Sequence, residues 1–486
     1  MQAEARQSAI ERNGVRLGAT AHCLLLIFAC FALTSAGYLS WLYNAADLVG
    51  SQTADMVSMV AGYLCQALGI GLFALAAKMR PALVQPKGAV VALVLFVVFL
   101  VPATLAESSG IVVAFGLALN LMCGVIAGFY LYELAAGVPA NRRGIVFGGG
   151  YALASVAVWL FSLAGGPSFL QSGLAIGVYI ALAAATALLF LARPTPDGPQ
   201  GALAAGAAPH DAGRAPAGGM SSTTLIVLAC ATIALVSLVK NLGFNFPTAD
   251  VQNGVSIELS RVFYAVGLMA AGIVNDRSRK YGAICCLAAL VVPFIMLALS
   301  GEPVSSMALW CFDYLLFGFF SVFRVVLFSD IATYEGALWL SGFGLAFGRV
   351  GDAAGTALFM GIGSTGVLVA LAGVLFAASV FLLTRLYQPL FAPAESVEAG
   401  TAEASAAEAS APERDERAHF EDFAATYGLS AREREVLRLL IDERSNAEIA
   451  AELFVSDSTV KFHIRNLLKK TSCENRLELL ALYFRS

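Results

Sequence analysis

The chain has 486 residues, of which 58% are hydrophobic and 13% charged, with a mean hydropathy of +0.76. A soluble chain carries roughly 25% charged residues, so about half the expected charge is missing and a string of ordinary soluble domains is excluded. The formal net charge of −4, from 30 Lys and Arg against 34 Asp and Glu, hides an uneven spread, scarce before residue 390 and dense after 412.

Residues 1–16, with Glu4, Arg6, Glu11, Arg12 and Arg16, lead into a long apolar segment without a clear signal-peptide cleavage site, and read as a cytoplasmic N-terminus before a retained first helix. Apolar windows, each long enough to span a bilayer, lie near 17–42, 53–77, 88–106, 111–132, 144–164 and 173–192, then 222–240, 255–274, 282–300, 305–328, 338–362 and 366–387. The Pro/Gly/Ala-rich stretch between the two sets cannot pack a core and reads as a cytoplasmic linker over 193–221. The expected fold class is therefore all-α: a polytopic bundle of six plus six spans (17–192 and 222–388), followed by a helical tail. Eight of the nine cysteines fall in apolar stretches and Cys473 in the tail; none has metal-ligand spacing, so they read as packing residues and no metal or cofactor is expected.

Orientation follows the distribution of basic residues. Alternate connections hold Lys78, Arg80 and Lys87; Arg142 and Arg143; Arg193 and Arg214; and Arg277, Arg279 and Lys280. The intervening connections carry Asp47 and Asp55, Glu107, Asp250, Glu302 or no charge, which places both termini in the cytoplasm. Lys240, at the outer end of the seventh span, and Asp330 with Glu335, in the last inner connection, break the alternation.

Between the eighth and ninth windows stands Gly272-Ile-Val-Asn-Asp276-Arg277-Ser-Arg279-Lys280. With the six-plus-six layout, it resembles the cytoplasmic Gly-x-x-x-Asp-Arg-x-Gly-Arg-Arg loop of the major facilitator superfamily, whose halves are parallel repeats. Arg279 replaces the second glycine, and the matching first-half loop, Lys78-Met-Arg80-Pro81, keeps only basic character. Asp276 is expected to accept from helix-end amides, and the basic residues to meet anionic headgroups.

Ionisable residues inside spans are costly and mark function by default. Here they gather in the second half: Glu258 and Arg261, Asp313 and Arg324 on nearly one face of the tenth span, and Arg349 with Asp352 in the eleventh. An Asp313–Arg349 or an Arg349–Asp352 pair is expected, either as an interhelical tie or within a sensing site formed with Arg324, in which Arg349 receives an anionic small-molecule effector and Asp313 and Asp352 tune it.

Residues 389–428 are rich in Ala, Glu and Ser and read as an acidic tether, with part of 413–427 helical and a root-mean-square reach of about 35 Å if fully flexible. In 429–486 the capping boxes Ser430-x-x-Glu433 and Ser445-x-x-Glu448, the cap Ser456, and apolar Val436, Leu437, Leu440, Ile449, Leu453, Val460 and Ile464 predict four short helices in a helix-turn-helix arrangement.

The run Leu429-Ser430-x-Arg432-Glu433-x-Glu435-Val436-Leu437, then Ser445-Asn446-x-Glu448-Ile449-Ala450, Val455-Ser456-x-x-Thr459-Val460-Lys461-x-His463-Ile464, Lys469-Lys470 and Arg476 closely resembles the LuxR/GerE-type DNA-binding domain. It departs at Glu443 and at Thr471-Ser472-Cys473, both in connections. Charge agrees with a polyanion partner: residues 456–470 carry +3, while the remaining 43 residues of the domain carry −2. The resemblance implies that Lys461, Phe462 and Arg465 face base edges of double-stranded DNA in the major groove. Ser456, Thr459, Asn446 and Lys469 are expected on phosphates, which position without specifying. It also implies pairing on DNA through the fourth helix. If Leu477, Leu480, Ala481 and Phe484 face the core, then Leu479, Leu482 and Tyr483 are left for that homodimer contact.

Four scattered histidines and no nucleophile–base constellation argue against an enzyme. The expectation is a bacterial, inner-membrane, one-component transcription regulator whose partners are the lipid bilayer, promoter DNA and a small-molecule effector. The alternative is a secondary transporter with an appended DNA-binding tail.

Overall fold

The computed structural model describes residues 2–163, 166–192, 221–242, 257–287, 290–291, 303–391, 411–441, 446–453, 457–471, 473 and 476–483. The linker 193–220, most of the ninth window, the stretch 392–410 and Ser456 lie outside the described residues. The chain forms two compact units, Met1–Pro393 and Ala394–Ser486.

In the first unit the helices are α1 Gln2–Val49, α2 Ser51–Met79, α3 Pro86–Leu105, α4 Ser109–Gly137, α5 Arg143–Leu163, α6 Gly173–Leu191, α7 Ser222–Asn241, α8 Ile257–Arg277, α9 Arg279–Cys286, α10 Pro303–Tyr334, α11 Phe343–Gly361 and α12 Thr365–Phe391. Among the described residues, nine helices are long and apolar enough to cross a membrane. The other three windows meet α8 and α11, which carry charged residues and glycines, and α9, of which only a short part is described.

Local sequence sets the ends of these helices. Ser172 and Ser221 cap α6 and α7 by accepting from the N–H groups of Ala175 and Thr224, each at 3.2 Å. A π-helical turn at Val57–Gly62 interrupts α2 just before Tyr63, a device common at functional positions. Large apolar side chains such as Leu68, Leu188 and Val374 stand outward and more than half exposed, as a lipid-facing surface requires.

The helices pack α8 on α5 and α10, α7 on α11, and α2 on α4. Where α5 crosses α8, a Cβ on Gly144 would stand 2.6 Å from the Gly272 carbonyl oxygen, so only glycine permits this approach. The core includes Trp41, Phe96, Phe147, Phe320 and Phe328.

The second unit contains α13 Ala411–Thr426, α14 Ala431–Ile441, α15 Asn446–Glu452, α16 Asp457–Thr471 and α17 Arg476–Tyr483. The capping box at the start of α14 forms as expected: Ser430 N–H donates to Glu433 Oε2 at 2.8 Å, and Glu433 N–H donates back to Ser430 Oγ at 3.4 Å. Val436, Leu437, Leu440, Ile449, Val460 and Leu467 form the core.

Two placements go beyond the sequence reading. The helix expected within 413–427 forms as α13, and its Phe420, Phe423 and Ala424 enter the same core. Leu479 and Tyr483, read as spare, are 0% and 7% exposed, and Leu482 is partly buried against that core. The cause is α13 itself: His419 Nε2 lies 2.9 Å from the Tyr483 carbonyl oxygen, and the rings of His419 and Phe423 pack on Tyr483. A helix face that faces solvent in a four-helix domain is covered by this fifth helix.

Candidate functional site

A cavity of about 190 Å3 lies among α1, α2, α4, α5, α7, α8, α10 and α11. Its charged lining residues are Lys240, Arg324, Arg349 and Asp352. Asp352, 1% exposed, is the hub. Lys240 Nζ stands 3.0 Å from Asp352 Oδ1, while Arg324 Nη1 and Arg349 Nη1 stand 3.7 and 3.6 Å from Oδ2. The two arginine distances are ion pairs but too long for good hydrogen bonds. Among the described residues, Arg324 Nε and Nη1 and Arg349 Nε have no hydrogen-bond partner.

Neighbouring rings and amides hold these groups in place. Lys240 Nζ lies 4.2 Å from the Phe317 ring centroid and Arg349 Cζ 4.3 Å from that of Tyr63, both within cation–π range. Asn241 donates through Nδ2 to the Asp352 carbonyl oxygen at 3.1 Å and to Thr356 Oγ1 at 3.0 Å, fastening α7 to α11. Tyr264 OH donates to Ser321 Oγ at 2.7 Å.

Of the four residues singled out by sequence, Arg324, Arg349 and Asp352 come together and Asp313 does not join them. Asp313 is fully buried outside the lining, and among the described residues neither of its carboxylate oxygens has a hydrogen-bond partner. The expected Arg349–Asp352 pair is present; an Asp313–Arg349 pair is not. Lys240 was missed as a site residue, although its break in the charge alternation was the signal: it is buried and paired rather than set in a loop. The side chains of Glu258 and Arg261 lie outside the described residues.

A second polar cluster ties the two sets of helices together at the end carrying the basic loops. Gly144 N–H donates to Asp276 Oδ1 and Ile145 N–H to Oδ2, both at 2.7 Å, at the N-terminus of α5. Arg143, 4% exposed, donates to Asp330 Oδ1 at 2.7 Å, to Thr333 Oγ1 at 2.8 Å and to the carbonyl oxygens of Ala135, Val138 and Ser329. Arg279 turns inward, donating to Asp330 Oδ2 at 2.7 Å and to the carbonyl oxygens of Asn275 and Ala140. The expected amide contact of Asp276 thus forms, whereas Arg279 is engaged by protein rather than turned toward headgroups. Arg277 and Lys280 remain exposed.

In the second unit, Val460 and Leu467 point α16 into the core. Lys461, Phe462, Arg465 and Lys469 lie on its exposed side, with Phe462 56% exposed; Thr459 and Asn446 are half-buried. Lys470 is turned away from that group: its Nζ donates to Glu433 Oε2 at 2.7 Å and to the Gly428 carbonyl oxygen at 2.8 Å. Burial opposes ionisation of Glu433, but hydrogen bonds from Lys470 and Ser430 outweigh it and hold its pKa below the ordinary value.

The family model of bacterial regulatory proteins of the luxR family matches residues 428–483. The nitrate/nitrite response regulator protein homolog of Haemophilus influenzae is 48% identical over 56 residues, 12% of this chain and 27% of that protein. Spore germination protein GerE of Bacillus subtilis is 41% identical over 56 residues, 12% of this chain but 76% of GerE. Among solved structures, the human organic anion transporter MFSD10 (TETRAN) matches with a TM-score of 0.53 at 14% identity, covering 76% of this chain and 99% of that one. At that identity the likeness is one of fold, and the first unit has a transporter fold of the major facilitator type. Through its C-terminal residues the chain belongs to the luxR family of bacterial regulatory proteins, with a DNA-binding helix-turn-helix domain carried behind a transporter-like membrane domain.

Proposed function

We propose that the protein is a one-component transcription regulator of the bacterial inner membrane, with both termini in the cytoplasm. Its transporter-like unit senses a small molecule, and its C-terminal unit binds promoter DNA. The observation that supports this reading best is the presence in one chain of a luxR-family domain and a bundle with a cavity lined by three cations. Effector binding shifts the protein only if its conformations bind unequally, and the polar tie around Asp276, Arg143 and Asp330 is the contact whose making and breaking distinguishes them. On DNA, Lys461, Phe462 and Arg465 meet base edges, while Asn446, Ser456, Thr459 and Lys469 meet phosphates. Two copies pair through a surface other than the buried Leu479 and Tyr483.

The test is chromatin immunoprecipitation of the full-length protein beside a Lys461→Ala/Arg465→Ala double variant. Sharp peaks lost in the variant support the regulator; an unchanged peak pattern rejects the groove assignment. A second reading, active transport with a regulatory tail, is favoured by the match over 99% of a transporter chain. Saturable uptake into vesicles, abolished by Arg349→Ala, would establish it.

A further inference from the structure

We infer that the cavity's ligand is a single-ring aromatic carboxylate, an inference that rests on the sensing reading above and names the chemistry of that site. Three cations line the cavity and one carboxylate serves them all. Arg324 is 6% exposed, and among the described residues its Nε and Nη1 both lack an acceptor, as does Arg349 Nε. Asp313, buried outside the lining, interacts electrostatically with Lys240, and the arginine donors are left without an acceptor among the described residues.

Orphaned donors on a buried cation are expensive, and a planar carboxylate offers two oxygens in the spacing a guanidinium fork accepts. The rest of the wall selects a ring: Tyr38, Tyr63, Tyr151, Tyr264, Tyr314 and Phe317 surround the same space, and offset or edge-to-face packing is how such walls hold an aromatic guest. At about 190 Å3 the space is smaller than the roughly 300–1,000 Å3 of drug-sized pockets, which limits the guest to one ring.

The experiment uses the purified full-length protein in detergent. Thermal unfolding and calorimetric titration are run with benzoate, 4-hydroxybenzoate and phenylacetate, against benzamide, benzylamine, acetate and inorganic phosphate. At least one aromatic acid is expected to bind saturably, with benzamide, benzylamine, acetate and phosphate each weaker by about ten-fold or more, since each lacks either the paired charge or the ring. Arg324→Gln should weaken that acid about ten-fold, with partial recovery in Arg324→Lys. Arg349→Gln provides the same readout if the Arg324 variants fail to fold.

Equal binding of benzamide or benzylamine, dominance of phosphate, or no binding of any acid at about 1 mM, the weak end of specific affinity, overturns the inference. Promoter occupancy measured with the same compounds separates it from the regulator reading. An acid that binds without changing occupancy removes the regulator and keeps the ligand class. A neutral or cationic compound that changes occupancy does the reverse.

Discussion

Asp276 accepts from the backbone N–H of Gly144 at 2.7 Å with one carboxylate oxygen, and from Ile145 with the other. One side chain thus satisfies two otherwise orphaned amides of α5 from the end of α8. Asp276→Asn should turn an amide NH2 toward one of those donors and lower the stability of the membrane unit by about 1–3 kcal/mol. Gly144→Ala should do more damage, because its methyl meets the Gly272 backbone oxygen rather than a side chain that can move. Thermal unfolding of the purified protein checks both, and an unaltered melting curve for Gly144→Ala would contradict the close crossing of α5 and α8.

Asp330 links Arg143 to Arg279. Asp330→Ala should cost about 3 kcal/mol, the low end for stripping a partner from a buried charge, since Arg143 is 4% exposed. Arg143→Lys should also destabilise, although it keeps the charge, because an ammonium cannot reach the five acceptors that the guanidinium serves. The melting temperatures of the two single variants decide this.

Adjacent lysines on α16 should behave differently on DNA. Lys469→Ala, at an exposed position, should weaken binding across all sequences and reduce the salt slope by about one. Lys470→Ala should leave that slope unaltered, because Lys470 is held by Glu433 and Gly428. Arg465→Ala should cost about 1–3 kcal/mol and relax preference at one base pair. Affinity titrations at several salt concentrations separate the three.

Glu433 has a lowered pKa in the folded unit, so its contribution to stability is present above its unfolded value and is lost as pH falls through the folded one. Glu433→Gln should therefore destabilise the C-terminal unit by about 1 kcal/mol at neutral pH and flatten its acid limb. Denaturant unfolding of both forms from pH 7 downward tests this; parallel curves would deny the linkage.

Phe423→Ala should destabilise the same unit by about 3–5 kcal/mol, as expected for emptying an aromatic site in a core, because Phe423 is 3% exposed among Tyr427 and Tyr483. A change within error would mean that α13 does not belong to this core.

These particulars show what was legible in the chain. Ser430 and Glu433 announce α14 because a capping box is a local device, complete within four residues. The apolar windows announce helices because a bilayer imposes one length on all of them. The destination of Tyr483 is different in kind. It depends on α13, which begins in a charged, alanine-rich run and declares itself only through Phe420 and Phe423. Lys240 and Asp352 lie 3.0 Å apart across more than a hundred residues, and no periodicity links them. Arg279, at a loop position that composition assigns to lipid headgroups, is instead claimed by Asp330 on another helix.

The placement of α13 also shortens the leash on which DNA is held. Nineteen residues, 392–410, separate the end of α12 from the start of α13, and even drawn out completely they reach only about 65 Å. On the proposed regulator reading, a promoter bound by the C-terminal unit is tied to the membrane domain by no more than that length of chain. The DNA-binding unit then moves only with the membrane domain, so the operator has to come to the membrane. Occupancy on that reading follows how often a locus visits the membrane and the high local concentration that a short leash creates once it arrives. Moving the target gene along the chromosome should change its regulation with no change in its sequence.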